Sequence, residues 1–152
     1  MMWRFFDQTK DTRKYLLLQA KSSCKYQDDL SIDSIKRYIR CIEYIKSIEE
    51  EDLSCQDIIN LGNLISGKNN NFRCTPAVFK TGKNAVHYSQ IKRLIETILD
   101  ARVKLNLSAE VFFVNFENIH PFNDGNGRIG EIIYYWMTGT FTCPHNHFSN
   151  HD

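Results

Sequence analysis

Ile32, Ile35, Ile39, Ile42, Ile45 and Ile48 recur at spacings of three and four, with Lys36, Arg37, Arg40, Glu43 and Lys46 between them. That alternation predicts an amphipathic helix over 28–51. Ser54 followed by Asp57 makes a capping-box start, and the next helix should carry Ile58, Ile59, Leu61 and Leu64 until Gly67 closes it. A polar loop covers 68–71. Ser89 is placed to cap a third helix with Ile91, Leu94, Ile95, Ile98 and Leu99 on one face, and Ser108 to cap a fourth that leads to His120. A further apolar run starts at Ile129. Helices dominate the pattern.

Two segments break it. Val111–Phe116 is β-branched and aromatic, a composition that favours a strand, while an apolar run of this kind equally fits a fully buried helix. Its phenylalanines, Phe112, Phe113 and Phe116, read as core rather than as ligand contacts. Between the second and third helices, Val78-Phe79 and Ala85-Val86 flank Thr81-Gly82-Lys83-Asn84, which predicts one short β-hairpin. After Trp136 the periodicity is lost, so 137–152 reads as an irregular tail.

The length of 152 residues suits one domain with a real core. The 19 basic and 18 acidic side chains leave a net charge of +1, so no global field recruits nucleic acid or an anionic membrane. Cys24, Cys41, Cys55, Cys74 and Cys143 are odd in number and widely spaced, which favours free thiols in a reducing compartment over a disulfide framework. Arg4, Asp7, Lys10 and Asp11 interrupt the N-terminus, and no run approaches the roughly 18 apolar residues of a membrane span. The expectation is a soluble, cytoplasmic protein, compatible with delivery into a host cell. Cys143, His145, His147 and His151 match no zinc spacing and are read as a disordered tail or truncation remnant. His87 reads as a turn residue.

His120-Pro-Phe-Asn-Asp-Gly-Asn-Gly-Arg128 gathers a base, a carboxylate, turn formers and a fixed cation into nine residues. Gly125, Asn126 and Gly127 tolerate positive φ, so successive N–H groups can converge on an anion at the start of the helix that follows. Arg128 adds a forked donor, Asp124 a hard oxygen ligand suited to Mg²⁺, and His120 a pKa near that of a working base. An EF-hand register fails here, because setting Gly127 as the loop glycine puts Phe122 at the first ligand place and Ile133 at the glutamate place.

These residues resemble the signature of the Fic family, His-x-Phe-x-Asp/Glu-Gly-Asn-Gly-Arg-x-x-Arg, at every signature position through Arg128. The resemblance covers roughly 54–136. It implies a compact all-α, multi-helix domain with a β-hairpin flap beside the active site, and makes 111–116 a buried helix that delivers the histidine. It implies transfer of AMP from ATP to a hydroxyl side chain of a target protein. His120 would deprotonate that hydroxyl. Asp124 would hold Mg²⁺, Asn126 with the Gly125 and Gly127 amides the α-phosphate, and Arg128 the leaving phosphates, with Phe122 as the loop's apolar anchor. Val78, Phe79, Lys80 and Thr81 would hold the target segment by β-augmentation. Arg73 stands where the family often has an arginine just before the flap.

The departure is Glu131, where the family's second arginine would fall. In the family that arginine contacts the γ-phosphate and, at rest, a glutamate from an inhibitory helix. One reading pairs Glu131 with Arg128 at i, i+3 and sets it against a γ-phosphate, which would redirect the chemistry to another phosphate-containing donor or leave a weakly active binding module. The other makes Glu131 a solvated helix residue, or an engineered change, of little consequence. The family's inhibitory motif, Ser/Thr-x-x-x-Glu-Gly/Asn, has no match, since Ser47-Ile-Glu-Glu-Glu51 is followed by Asp52. Restraint would then fall to a small antitoxin-type protein.

Overall fold

The computed structural model describes residues 10–26 and 31–139, and the side chains of the first helix from Leu16 onward. Six helices follow in order: α1 (Lys10–Tyr26), α2 (Ile32–Lys46), α3 (Cys55–Ser66), α4 (Ile91–Lys104), α5 (Ala109–Ile119) and α6 (Asn126–Thr138). Single 3₁₀ turns, Glu50–Asp52 and Tyr88–Gln90, precede α3 and α4. Among the described residues there is no named strand.

Local chemistry sets most of the helix ends. The Ser31 hydroxyl accepts from the Ser34 N–H at the head of α2, Ser54 and Asp57 form a reciprocal capping box on α3, and Gly67 ends α3 in the left-handed region at φ 69°. Ser108 caps α5 through the Val111 N–H. α2 is shorter than the isoleucine spacing predicts, stopping at Lys46 before the acidic run 49–52. Four acids at a helix C-terminus would oppose its negative end, so the chain turns there instead. Ser89 is not the cap of α4. It lies inside the 3₁₀ turn, where the His87 Nδ1 accepts its N–H at 3.2 Å.

α6 is the central element. Residues 126–133, Tyr135 and Trp136 are all buried, so the helix is enclosed on every side over 126–133, and it packs on α2, α3 and α5. One cluster of buried side chains runs from Ala20 to Trp136 and draws on all six helices. The run 111–116 is helical, and Phe112, Phe113 and Phe116 are buried.

α1 has no counterpart in the sequence expectations. The side chains it buries, Gln19, Ala20, Ser23 and Cys24, keep helical spacing, while Leu17 and Leu18 stay exposed. Small and polar residues at these described buried positions give no hydrophobic stripe to read there. Met137 and Thr138, expected in the tail, belong to α6, and Cys143, His145, His147 and His151 lie outside the described residues. Cys41, Cys55 and Cys74 are free thiols. Among the described residues no helix is long and apolar enough to cross a membrane.

Candidate active site

α5 ends at His120, whose backbone takes the left-handed conformation (φ 52°, ψ 63°) while its N–H caps the helix on the Phe116 carbonyl at 3.0 Å. This is an unusual conformation for a non-glycine residue, and it turns the chain sharply into Pro121 and Phe122. Phe122 is fully buried. Its ring lies 5.4 Å from that of Phe72 and fills the space beside Gly62, where a Cβ would stand 2.4 Å from the ring. Phe122 therefore anchors the loop in the core.

Asn126 closes the loop. Its Oδ1 accepts from the Phe122 N–H at 2.8 Å, its Nδ2 donates to the Phe122 carbonyl at 2.7 Å, and the same Nδ2 faces His120 Nε2 at 3.2 Å. The two Phe122 bonds fix which end of the amide is nitrogen, and an amide NH₂ can only donate. His120 Nε2 is thereby assigned as an acceptor, the state a general base requires, with its proton on Nδ1. The side chain expected to bind phosphate is instead occupied in holding the loop and the imidazole.

Of the three residues expected to tolerate positive φ, only Gly125 adopts it, at 89°. α6 begins at Asn126, and its first intrahelical bond runs from the Ile129 N–H to the Gly125 carbonyl. The Asn126, Gly127 and Arg128 N–H groups are first-turn donors with no intrahelical acceptor. The segment expected to hold an anion is a helix N-terminus with Gly125 as its cap, rather than a nest of left-handed residues. A Cβ at Gly125 would also stand 2.7 Å from Ile65 Cγ2, so conformation and space both demand glycine there.

Arg128 is 7 % exposed and pairs with the exposed Asp124 carboxylate at 3.4 Å. Its Nε has no hydrogen-bond partner among the described residues. The Asp124 side chain is 65 % exposed, and no group of three metal-holding side chains occurs among the described residues. A cation here would rest on one carboxylate and on oxygens brought by the phosphates, an arrangement Mg²⁺ accepts.

Glu131 is neither solvated nor paired with Arg128. It is fully buried, and Tyr38 of α2 donates its hydroxyl to Glu131 Oε1 at 2.6 Å while accepting from Gln19 Nε2 at 3.2 Å. Burial, then the Glu131 charge, hold the Tyr38 phenol well above its ordinary pKa. Burial likewise pushes the Cys41 thiol up to about 12. Glu131 thus faces the interior beneath α1 and α2.

Two residues outside the motif build the site. Asn70, expected only as part of a polar loop, donates from Nδ2 to the Asp124 and Gly62 carbonyls at 3.1 Å each. Arg73 is 3 % exposed. Its guanidinium donates to the carbonyls of His120 (2.7 Å), Thr75 (2.9 Å), Val86 (2.6 Å) and Ile119 (3.2 Å), and its N–H to Pro121 (2.8 Å). Partners that are all backbone carbonyls leave no trace in side-chain spacing.

The expected hairpin is not formed as strands. Val78 and Asn84 make an isolated antiparallel bridge, supported by Phe79 N–H to Lys83 carbonyl (2.8 Å), Ala85 N–H to Ala77 carbonyl (2.9 Å) and a turn closed by Gly82 N–H on Phe79 (2.8 Å). With one bridge and no neighbouring sheet among the described residues, pairing stops after a single rung. The Phe79 ring meets the His120 ring edge-on at 5.2 Å, while Val78, Lys80 and Thr81 are exposed. His87 stacks on Tyr88, in keeping with a turn residue. Glu50–Asp52 forms a 3₁₀ turn rather than a helix laid on the site.

A family model described as Fic/DOC matches residues 52–138. Among solved structures the chain is similar to a Fic family protein from Desulfovibrio desulfuricans G20, with a TM-score of 0.68 and 15 % identity, over 86 % of this chain and 51 % of that one. The chain therefore spans about half the length of that protein. No curated protein matches the sequence. The family match covers more than half of the chain and includes α3 to α6 with the loop between His120 and Arg128, and on that ground the protein belongs to the Fic/DOC family.

Proposed function

We propose that the protein transfers AMP from Mg·ATP to a Ser, Thr or Tyr hydroxyl of another protein. Membership of the Fic/DOC family supports a Fic-type transferase in general. The observation that carries the finer reading is the placement of His120 Nε2, held as an acceptor 3.2 Å from Asn126 Nδ2 at the head of α6. A base then stands beside first-turn N–H donors and the buried Arg128 guanidinium.

In this reading the acceptor hydroxyl displaces the Asn126 N–H from the single lone pair of His120 Nε2 and gives that nitrogen its proton as its oxygen attacks the α-phosphorus in line. The bond to the pyrophosphate oxygen breaks, and pyrophosphate leaves with the electron pair. The Asn126, Gly127 and Arg128 N–H groups hold α-phosphate oxygens, and Arg128 holds the departing phosphates. Asp124 would hold a Mg²⁺ ion, which when bound neutralises charge on the phosphates. Residues 78–81 present the target segment, with Phe79 against the His120 ring.

A second reading is favoured by one observation. Glu131 is enclosed with Tyr38, so that position offers no cation to a third phosphate, and the same scaffold would suit a donor with a shorter phosphate chain. Incubation with Mg²⁺, a cell lysate and a panel of labelled nucleoside triphosphates and diphosphate-linked alcohols separates the readings. Label from ATP alone supports AMP transfer; label from a diphosphate donor alone replaces it. Binding without any transfer reduces the protein to a nucleotide- or partner-binding module.

A further inference from the structure

We infer that Arg73 is the positioning residue for His120, and that it ties the placement of the base to the flap. The inference rests on the proposed role of His120 as base. Arg73 precedes the flap, yet its guanidinium reaches the Ile119 and His120 carbonyls at the C-terminal end of α5 and the Thr75 and Val86 carbonyls at the two sides of the flap. Its own N–H holds the Pro121 carbonyl. The backbone on both sides of the left-handed His120 is thereby fixed to one rigid plane.

The charge sits where α5 concentrates its negative end, which gives a buried arginine with carbonyl partners a favourable place. Only a guanidinium can do this, since its flat fork directs donors at four acceptors at once and an ammonium cannot. The flap makes a second contact with the base through the edge of Phe79 on the His120 ring. Movement of residues 75–86 when a target segment docks therefore reaches His120 by backbone through Arg73 and by side chain through Phe79. Without the clasp the imidazole loses its register against the phosphate site, and misplacement of that kind costs rate rather than donor binding.

The test compares the full chain with Arg73→Lys and Arg73→Ala by thermal unfolding, calorimetric binding of Mg·ATP, label transfer into lysate protein at saturating ATP, and NMR of the His120 ring and backbone amide. We expect Arg73→Lys to fold, to bind Mg·ATP within about twofold of the parent, and to transfer label about 10²-fold more slowly. Its His120 ring signals should shift and its His120 amide exchange faster. Arg73→Ala should show the same pattern more strongly; should it fail to fold, Arg73→Lys alone decides. Transfer at the parent rate, or slowed transfer with unchanged His120 signals, overturns the inference. A parent protein that transfers no label overturns the proposed activity instead, and the His120 signals then decide the clasp on their own.

Discussion

Asn126 does two things with one side chain, cross-linking the loop through both polar groups of Phe122 and holding His120 Nε2 as an acceptor. Asn126→Ala should therefore cost stability and transfer together. The two amide bonds are buried, so their loss should cost about 1–3 kcal/mol, read by denaturant unfolding; unchanged stability would mean the loop closes without them. Glu131 gives the opposite sort of test. Were it a surface residue beside the phosphates, Glu131→Arg would tighten ATP binding by restoring the family's arginine. Because Glu131 takes the Tyr38 hydroxyl in the interior, the substitution should instead destabilise the fold, by about 3–5 kcal/mol for an uncompensated buried charge. Glu131→Gln, which keeps an acceptor for Tyr38, should be far milder. A stable Glu131→Arg protein with improved ATP affinity would contradict this placement.

At the scale of elements, the two ends of α3 and the start of α5 were legible in the sequence, while the ends of α2 and the start of α4 were not, and neither was depth. Ser54, Gly67 and Ser108 end their helices as expected because capping is local chemistry between residues three or four apart. Ser54→Ala should cost about 1 kcal/mol in thermal or denaturant unfolding through loss of the capping box, and no loss would mean that α3 is held by packing alone. α1 is not marked in the sequence because, among its described side chains, the buried ones are Gln19, Ala20, Ser23 and Cys24 while Leu17 and Leu18 are exposed. The burial of Glu131 depends on Tyr38, 93 residues away, and the roles of Asn70 and Arg73 depend on backbone carbonyls. None of these partners follows from spacing along the chain. The motif was legible for the converse reason: His120 to Arg128 is one contiguous loop whose members contact one another.

The whole molecule is organised around α6, which carries the proposed phosphate-binding turn at one end and buries Ile129, Glu131, Ile132, Ile133 and Trp136 behind it. That arrangement has a pH signature. Tyr38 and Cys41 have pKa values raised in the fold, Cys41 to about 12, so the fold favours their neutral forms. Their contribution is complete below the unfolded values of about 10 and 8.5 and is lost as pH rises beyond them. Stability measured by denaturant unfolding should fall from about pH 9 upward, and Tyr38→Phe should flatten that fall while lowering stability at neutral pH, because Glu131 loses the Tyr38 hydroxyl bond. An unchanged alkaline slope would remove Tyr38 from the account. The central claim, that this scaffold performs AMP transfer with His120 as base, is tested most directly by the rate at which the α-phosphate label of Mg·ATP enters lysate protein, compared between the parent and His120→Ala. The account predicts labelling by the parent and a loss of about 10² to 10⁴ in rate for His120→Ala, with ATP affinity retained. Equal labelling by the two proteins, or none by the folded parent, would contradict it.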